Sequence, residues 1–264
     1  MTDSWISLAA KNATNNEVRI RYWRAGKGES VLILHGWGAS LEAVRILFDD
    51  LAPAFDTIAI DFPGHGQSPA PAEAWTVSDF RDLVVLLLDK LGVDQTNIVA
   101  HSFGGRVAIK LASAHPERVN RMVLTGAAGI PPRRTRGQKA RLALARWGKK
   151  VRGMLGDGAL AKWMETRWIY YVASADYARA SGPMRATLVN VVGEDLSPLM
   201  AGVKAKTLLI WGSEDKDTPL SSGRMMASLI PGSELVVLDG GGHFAYAEQF
   251  SKFRLHMRKF LEAQ

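Results

Sequence analysis

The chain has 264 residues and no cysteine. That absence excludes disulfides, thiolate zinc sites and cysteine nucleophiles, and it removes any need for an oxidising compartment. No apolar run is long enough to cross a bilayer as a helix. The opening Met1-Thr2-Asp3-Ser4-Trp5 has neither a basic n-region nor a long apolar core, so no signal peptide and a cytoplasmic setting are expected. Internal repeats and low-complexity tracts are also missing. From Pro131 to Arg152 there is no acidic residue at all. That stretch carries Arg133, Arg134, Arg136, Lys139, Arg141, Arg146, Lys149, Lys150 and Arg152, and it alone can account for the net charge of +7. Such a run attracts an anionic substrate, an acidic partner or a membrane surface, or it is the solvated face of a helix. No nucleic-acid-binding module accompanies it, so a nucleic-acid partner is not expected.

What is present reads as a soluble globular chain, with 47% apolar and 22% charged residues. The length suits one large domain, or one domain with an insertion. Val18 to Trp23 alternates apolar and polar, as a half-exposed antiparallel strand does. Val31-Leu32-Ile33-Leu34 and Thr57-Ile58-Ala59-Ile60 are continuous apolar runs, the mark of parallel strands covered on both faces. From Thr76 to Leu91, residues Val77, Phe80, Val84, Leu87, Leu88 and Leu91 share one helical face, and Gly92 ends the helix. Further strands are predicted within Arg118–Thr125, at Thr207–Trp211 and at Glu234–Leu238. Helices are predicted from about Ser40 to Leu51, from near Pro219, and from about Tyr246 to Leu261. Strands alternating with helices predict an α/β fold with a mostly parallel sheet between helical layers. From about Gly129 to Leu199 the rhythm breaks into a helical, basic, aromatic-rich stretch containing Trp147, Trp163, Trp168, Tyr170, Tyr171 and Tyr177.

The stretch with the most chemical content is Asn97-Ile98-Val99-Ala100-His101-Ser102-Phe103-Gly104-Gly105. A β-type run ends in a tight turn and a helical run begins at once, with Ser102 at the apex. Ala100 and Gly104, two residues to either side, leave room for such a turn to close around a strained apex residue. The hydroxyl is lifted clear of the sheet, and the N–H groups of the following helix aim at the same space. The plain alternative is a strand–turn–helix with a capping serine.

This stretch resembles the nucleophile elbow of the α/β-hydrolase superfamily, whose pattern is Gly-x-Ser-x-Gly, with Ala100 standing in the first glycine's place. The resemblance implies an α/β-hydrolase fold, with residues 1–128 and 200–264 as the core domain and 129–199 as a helical cap. It also implies the chain order nucleophile, acid, histidine. Downstream of Ser102 the histidines are His243 and His256. His243 follows Gly240-Gly241-Gly242 after a predicted strand, on a loop free enough to carry an imidazole over the sheet edge, and is the expected base. His256 falls inside the terminal helix. The loop Trp211 to Pro219 holds Glu214, Asp215 and Asp217. The family's Gly-x-x-Asp-x-x-x-Pro register points to Asp215, with Asp217 as runner-up because it could cap the helix opened by Pro219.

An oxyanion needs backbone donors already in place. One is expected from the N–H of Phe103. By resemblance to the family's His-Gly-x loop, His35-Gly36-Trp37-Gly38 offers the other at Trp37, with His35 holding the loop by a hydrogen bond. The Asp61–Ser68 loop resembles the superfamily's D-x-P-G-x-G-x-S loop and is read as wall and packing. His65 and His101 lie on different loops without a ligand-spaced carboxylate pair, so neither a metal nor a cofactor is expected.

The function implied is a serine hydrolase cleaving small to medium carboxylic esters through an acyl-enzyme. The same residues serve thioesterases, lactonases, amidases, acyltransferases, perhydrolases and carbon–carbon bond hydrolases, and the fold also serves non-catalytic receptors. Epoxide hydrolases and haloalkane dehalogenases are disfavoured, because by resemblance they carry aspartate at the position of Ser102.

Overall fold

The centre of the sheet is made of strands whose residues are buried almost without exception, because helices cover both faces. The computed structural model describes residues 3–9, 17–131 and 175–263. The strands are β1 (Ser4–Ala9), β2 (Glu17–Ala25), β3 (Ser30–Leu34), β4 (Asp56–Ile60), β5 (Thr96–His101), β6 (Val119–Thr125), β7 (Lys206–Gly212) and β8 (Glu234–Leu238). They form one eight-stranded sheet in the order β1-β2-β4-β3-β5-β6-β7-β8. The pairs β1–β2 and β2–β4 are antiparallel, and the rest are parallel. Strand β3 pairs with β4 on one side and β5 on the other. The chain order therefore reverses at β3, and the carboxyl ends of β3 and β5 flank the crevice where ligands bind in open α/β sheets.

Alternate residues of each strand point to opposite faces. Leu32, Leu34, Ile98, Ala100, Met122 and Leu124 join one core with α2 (Val77–Lys90) and α3 (Phe103–Ala114). Val31, Ile33, Val99, Val123 and Ile210 join the other with α1 (Arg45–Leu51) and α9 (Phe250–Leu261), through Phe48, Leu51, Phe253, Met257 and Leu261. Each such large apolar side chain contributes roughly 1.5–3 kcal/mol on burial. Helix α2 opens with the Thr76 N–H donating to Asp79 at 2.7 Å, and Gly92 closes it at φ +69°.

Three expectations shift. Strand β1 was not predicted. It is a six-residue edge strand with a single buried residue, Leu8, so its pattern is faint. The helix expected from Ser40 begins as a 3-10 turn, Leu41–Val44, before α1. The terminal helix divides into α8 (Ala245–Glu248) and α9, with Gln249 at φ −127°, ψ +45° between them.

Between β6 and β7 lie α4 (Ala175–Arg179), α5 (Gly182–Gly193) and α6 (Ser197–Met200). Helix α7 (Leu220–Leu229) follows β7. The basic stretch from Arg133 to Arg152, together with Trp147, Trp163, Trp168, Tyr170 and Tyr171, lies outside the described residues. Helix α5 is tied to the sheet layer at both ends. Thr187 Oγ1 accepts from the Trp75 N–H at 2.9 Å, and Asn190 donates to the Trp75 carbonyl at 3.1 Å. At its far end the buried Arg106 guanidinium of α3 donates to the Glu194 carbonyl at 2.8 Å. No described helix is long and apolar enough to cross a membrane.

Candidate active site

Strand β5 ends at His101 and helix α3 starts at Phe103, so Ser102 alone makes the turn. It sits at φ +51°, ψ −112°, the one non-glycine with positive φ among the described residues. Holding such a residue costs about 1–3 kcal/mol, which the surroundings must offset. They do so by hydrogen bonds: Ser102 N–H donates to the Thr125 carbonyl at 3.1 Å, and the Ser102 carbonyl accepts from Gly105 and Ala128 at 3.0 Å each. The small residues have a second reason beyond the turn itself. A Cβ on Gly104 would fall 2.4 Å from the Leu34 carbonyl oxygen, and one on Gly105 would fall 2.5 Å from the Ala127 Cβ. Helix α3 therefore runs hard against the ends of β3 and β6, and only glycine permits the approach.

The Ser102 hydroxyl lies 3.1 Å from His243 Nε2, and His243 Nδ1 lies 2.9 Å from Asp215 Oδ2. An ionised carboxylate only accepts, so Nδ1 carries the hydrogen and Nε2 is left to accept from the hydroxyl. Asp215 is buried. Its Oδ1 accepts from the Asp217 N–H at 2.9 Å and the Thr218 N–H at 2.8 Å. Burial by itself raises its pKa; the hydrogen bonds from His243 and the Thr218 N–H outweigh that and hold the carboxyl below the ordinary aspartate value. The runner-up Asp217 is exposed and contributes only its backbone N–H. The helix after Pro219 has no side-chain cap, so the capping role considered for Asp217 is not present. Glu214 is exposed, and His256 sits within α9.

The loop after β3 passes beside the elbow so closely that a Cβ on Gly36 would lie 3.3 Å from the Ser102 Cβ. His35 holds this loop. Its Nδ1–H donates to the Gly36 carbonyl at 2.7 Å, and its Nε2 accepts from the Phe62 N–H at 3.1 Å. Burial pushes its pKa down to about 4, so it stays neutral. The backbone N–H groups of Trp37 and Phe103 donate to no acceptor among the described residues. Their rings meet edge to face at 5.4 Å. The Asp61–Ser68 loop packs against the Trp37 loop, with the His65 and Trp37 ring centroids 4.6 Å apart, and is itself held by the buried Asp61 carboxylate, which accepts from the Leu41 N–H at 2.7 Å and the Gln67 N–H at 2.9 Å. The arrangement has a hydroxyl with an acceptor nitrogen at hydrogen-bond distance and a carboxylate orienting that imidazole, while the N–H groups of Phe103, next in the chain, and of Trp37, on the loop that passes the elbow, are unengaged among the described residues.

Two contributors escaped the sequence. Thr218 Oγ1 lies 2.8 Å from Asp215 Oδ2, 2.8 Å from the Gly126 carbonyl and 3.3 Å from His243 Nδ1. Gly126, at φ +50°, underlies the carboxylate–imidazole pair. Position three after the acid was the only available hint to Thr218; Gly126 gave none, because its neighbours are distant in the chain.

Comparison with known proteins agrees with this architecture. The family model of the alpha/beta hydrolase fold matches residues 29–250. The 2-hydroxymuconate semialdehyde hydrolase of Pseudomonas sp. (strain CF600) is 30% identical over 260 residues, spanning 92% of this chain and 90% of that one. Among solved structures, the meta-cleavage product hydrolase of Pseudomonas fluorescens IP01 is 27% identical with a TM-score of 0.71, over 98% of each chain. Est816, described as an N-acyl homoserine lactone degrading enzyme, is 25% identical with a TM-score of 0.75, over 97% of this chain and 100% of its own.

Proposed function

The chain belongs to the alpha/beta hydrolase fold family, and from that premise we propose that it is a serine hydrolase cleaving small to medium carboxylic esters through an acyl-enzyme intermediate. The observation that carries the reading is the 3.1 Å approach of His243 Nε2 to the Ser102 hydroxyl, with Asp215 behind the imidazole at 2.9 Å. A serine hydroxyl becomes nucleophilic when a positioned base removes its proton. In this reading Ser102 Oγ attacks the ester carbonyl while His243 takes its proton. Asp215 stabilises the imidazolium that forms and keeps its tautomer. The Trp37 and Phe103 N–H groups receive the developing oxyanion. His243 then returns the proton to the leaving alcohol, and water, activated by the same imidazole, releases the acyl group. No step calls on a metal or a cofactor. Residues 129–199 are read as a cap over the nucleophile; the tether of α5 to Trp75 and Arg106 supports that reading.

The test is a p-nitrophenyl butyrate assay with fluorophosphonate labelling. The expected result is turnover together with an adduct mapped to Ser102, both lost in Ser102→Ala. A folded wild-type protein with neither signal refutes the reading.

Carbon–carbon bond hydrolysis is the second reading, favoured by the 30% identity to 2-hydroxymuconate semialdehyde hydrolase. It uses the same three side chains. A larger kcat/KM on 2-hydroxymuconate semialdehyde than on the butyrate ester would put it first.

A further inference from the structure

His101, the residue before the turn, has no place in the proton path, yet it touches His243 in two ways. Its Nε2 lies 3.0 Å from the His243 carbonyl oxygen, and the two ring centroids are 4.7 Å apart. A carbonyl only accepts, so Nε2 carries the hydrogen and Nδ1 is bare. That Nδ1 is buried with no hydrogen-bond partner among the described residues, and it faces Gly36, where a Cβ would come within 2.9 Å. A proton there would meet no acceptor. Burial first, and the neighbouring His243 second, push the His101 pKa down to about 3. Phe244 and Tyr246 confine the ring from the other sides, with centroids at 5.1 and 5.0 Å. His101 is thus a fixed, one-directional donor.

We propose that His101 is a positioning residue, whose Nε2–H holds the His243 carbonyl and thereby sets the reach of the His243 imidazole to Ser102. The proposal rests on the reading of Ser102 and His243 as nucleophile and base. Its physical need is plain. Gly240-Gly241-Gly242 leaves the chain before His243 with more conformational freedom than any other residue type would. The loop is pinned at each point: Gly240 N–H to Ser213 Oγ at 2.8 Å, the Gly241 carbonyl to the Glu214 N–H at 2.9 Å, and Gly242 N–H to the Glu248 carboxylate at 2.5 Å. The last pin, at His243 itself, comes from β5. His101 and Ser102 are chain neighbours, so the nucleophile and the backbone of its base are referenced to one strand end.

The test compares His101→Gln with His101→Met on p-nitrophenyl butyrate. Glutamine can place an N–H near the lost Nε2–H, whereas methionine has similar length and no donor. A misplacement of about 1 Å can cost on the order of 100-fold, so the methionine variant is expected to lose about 10- to 100-fold in kcat. Its KM should stay near wild type and its fluorophosphonate labelling should slow in parallel, while glutamine restores most of the rate. Equal kcat in the two variants at equal Tm overturns the proposal alone. If the methionine variant does not fold, the ¹⁵N spectrum of wild-type His101 decides: the Nε2–H tautomer supports the proposal, and the Nδ1–H tautomer overturns it. A wild-type protein that neither turns over nor labels overturns the nucleophile reading as well, and is recognised before any variant is made.

Discussion

Gly126 lies directly beneath His243: a Cβ on it would come within 3.1 Å of His243 Nδ1 and, equally, within 3.1 Å of Asp215 Oδ2. The residue also has φ +50°, where a side chain is strained in any surroundings. The carboxylate–imidazole contact thus depends on a backbone position just after β6 that carries no side chain.

Replacing Gly126 by alanine is expected to do two things. Stability falls by about 1–2 kcal/mol from the left-handed backbone, which thermal melting measures. Activity falls further than stability explains, because the new methyl group pushes His243 or Asp215 aside. A variant that melts lower but keeps wild-type kcat would show that the pair tolerates displacement.

The two neighbouring aspartates are expected to behave differently. Asp215→Asn replaces the acceptor that fixes the His243 tautomer, and a loss of about 10⁴-fold in kcat is the expected scale. Asp217→Asn keeps the backbone N–H that Asp215 uses and removes only an exposed carboxylate. It should leave kcat close to wild type. Steady-state kinetics on both variants decides between them.

Thr218→Val keeps the shape of the side chain and removes the hydroxyl shared by Asp215 and the Gly126 carbonyl. One hydrogen bond to a charged group contributes about 1.5–3 kcal/mol. The Thr218 N–H to Asp215 remains, so the expected kcat loss is about 10-fold, far smaller than for Asp215→Asn. Comparison of the two variants in one assay checks the ranking.

Three buried histidines predict an acid-labile fold. Burial pushes His35 down to about 4, and His65 and His101 to about 3. In the unfolded chain each titrates near 6.5. Between those values the unfolded state binds more protons than the folded one, so stability rises with pH across that window. It is fully present above about pH 6.5 and declines as pH falls toward 4, by about 1.4 kcal/mol per pH unit for each histidine. Denaturant unfolding at pH 7, 6 and 5 measures it. A flat profile would mean that these imidazoles are protonated in the fold.

The elements most legible in the sequence were those with local causes. The run Val31–Leu34 reads as a buried parallel strand because helices cover both of its faces, and the Val77–Leu88 stripe reads as α2 because one face alone packs. Strand β1 was illegible: its pairing with β2 is a relation between segments, and its outer edge buries little. The site divides in the same way. Ser102 announces itself by the small residues the turn requires on both sides. Asp215 came forward over Asp217 from a register of spacing, but the reason that Asp215 is the one buried is tertiary: its carboxylate faces His243 and Thr218.

The sequence alone determined most of the segments that become strands and helices, the edge strand β1 excepted, and which side chains could carry charge or protons, because those follow from periodicity and residue chemistry within a few neighbours. Tertiary structure decided which of them meet. The reversal of strand order at β3 brings the Trp37 loop beside the Ser102 turn, and the parallel placement of β6, β7 and β8 carries Gly126, Asp215 and His243 to one edge. Angström-scale separations between groups more than a hundred residues apart are set by packing of whole layers, and no local pattern encodes them.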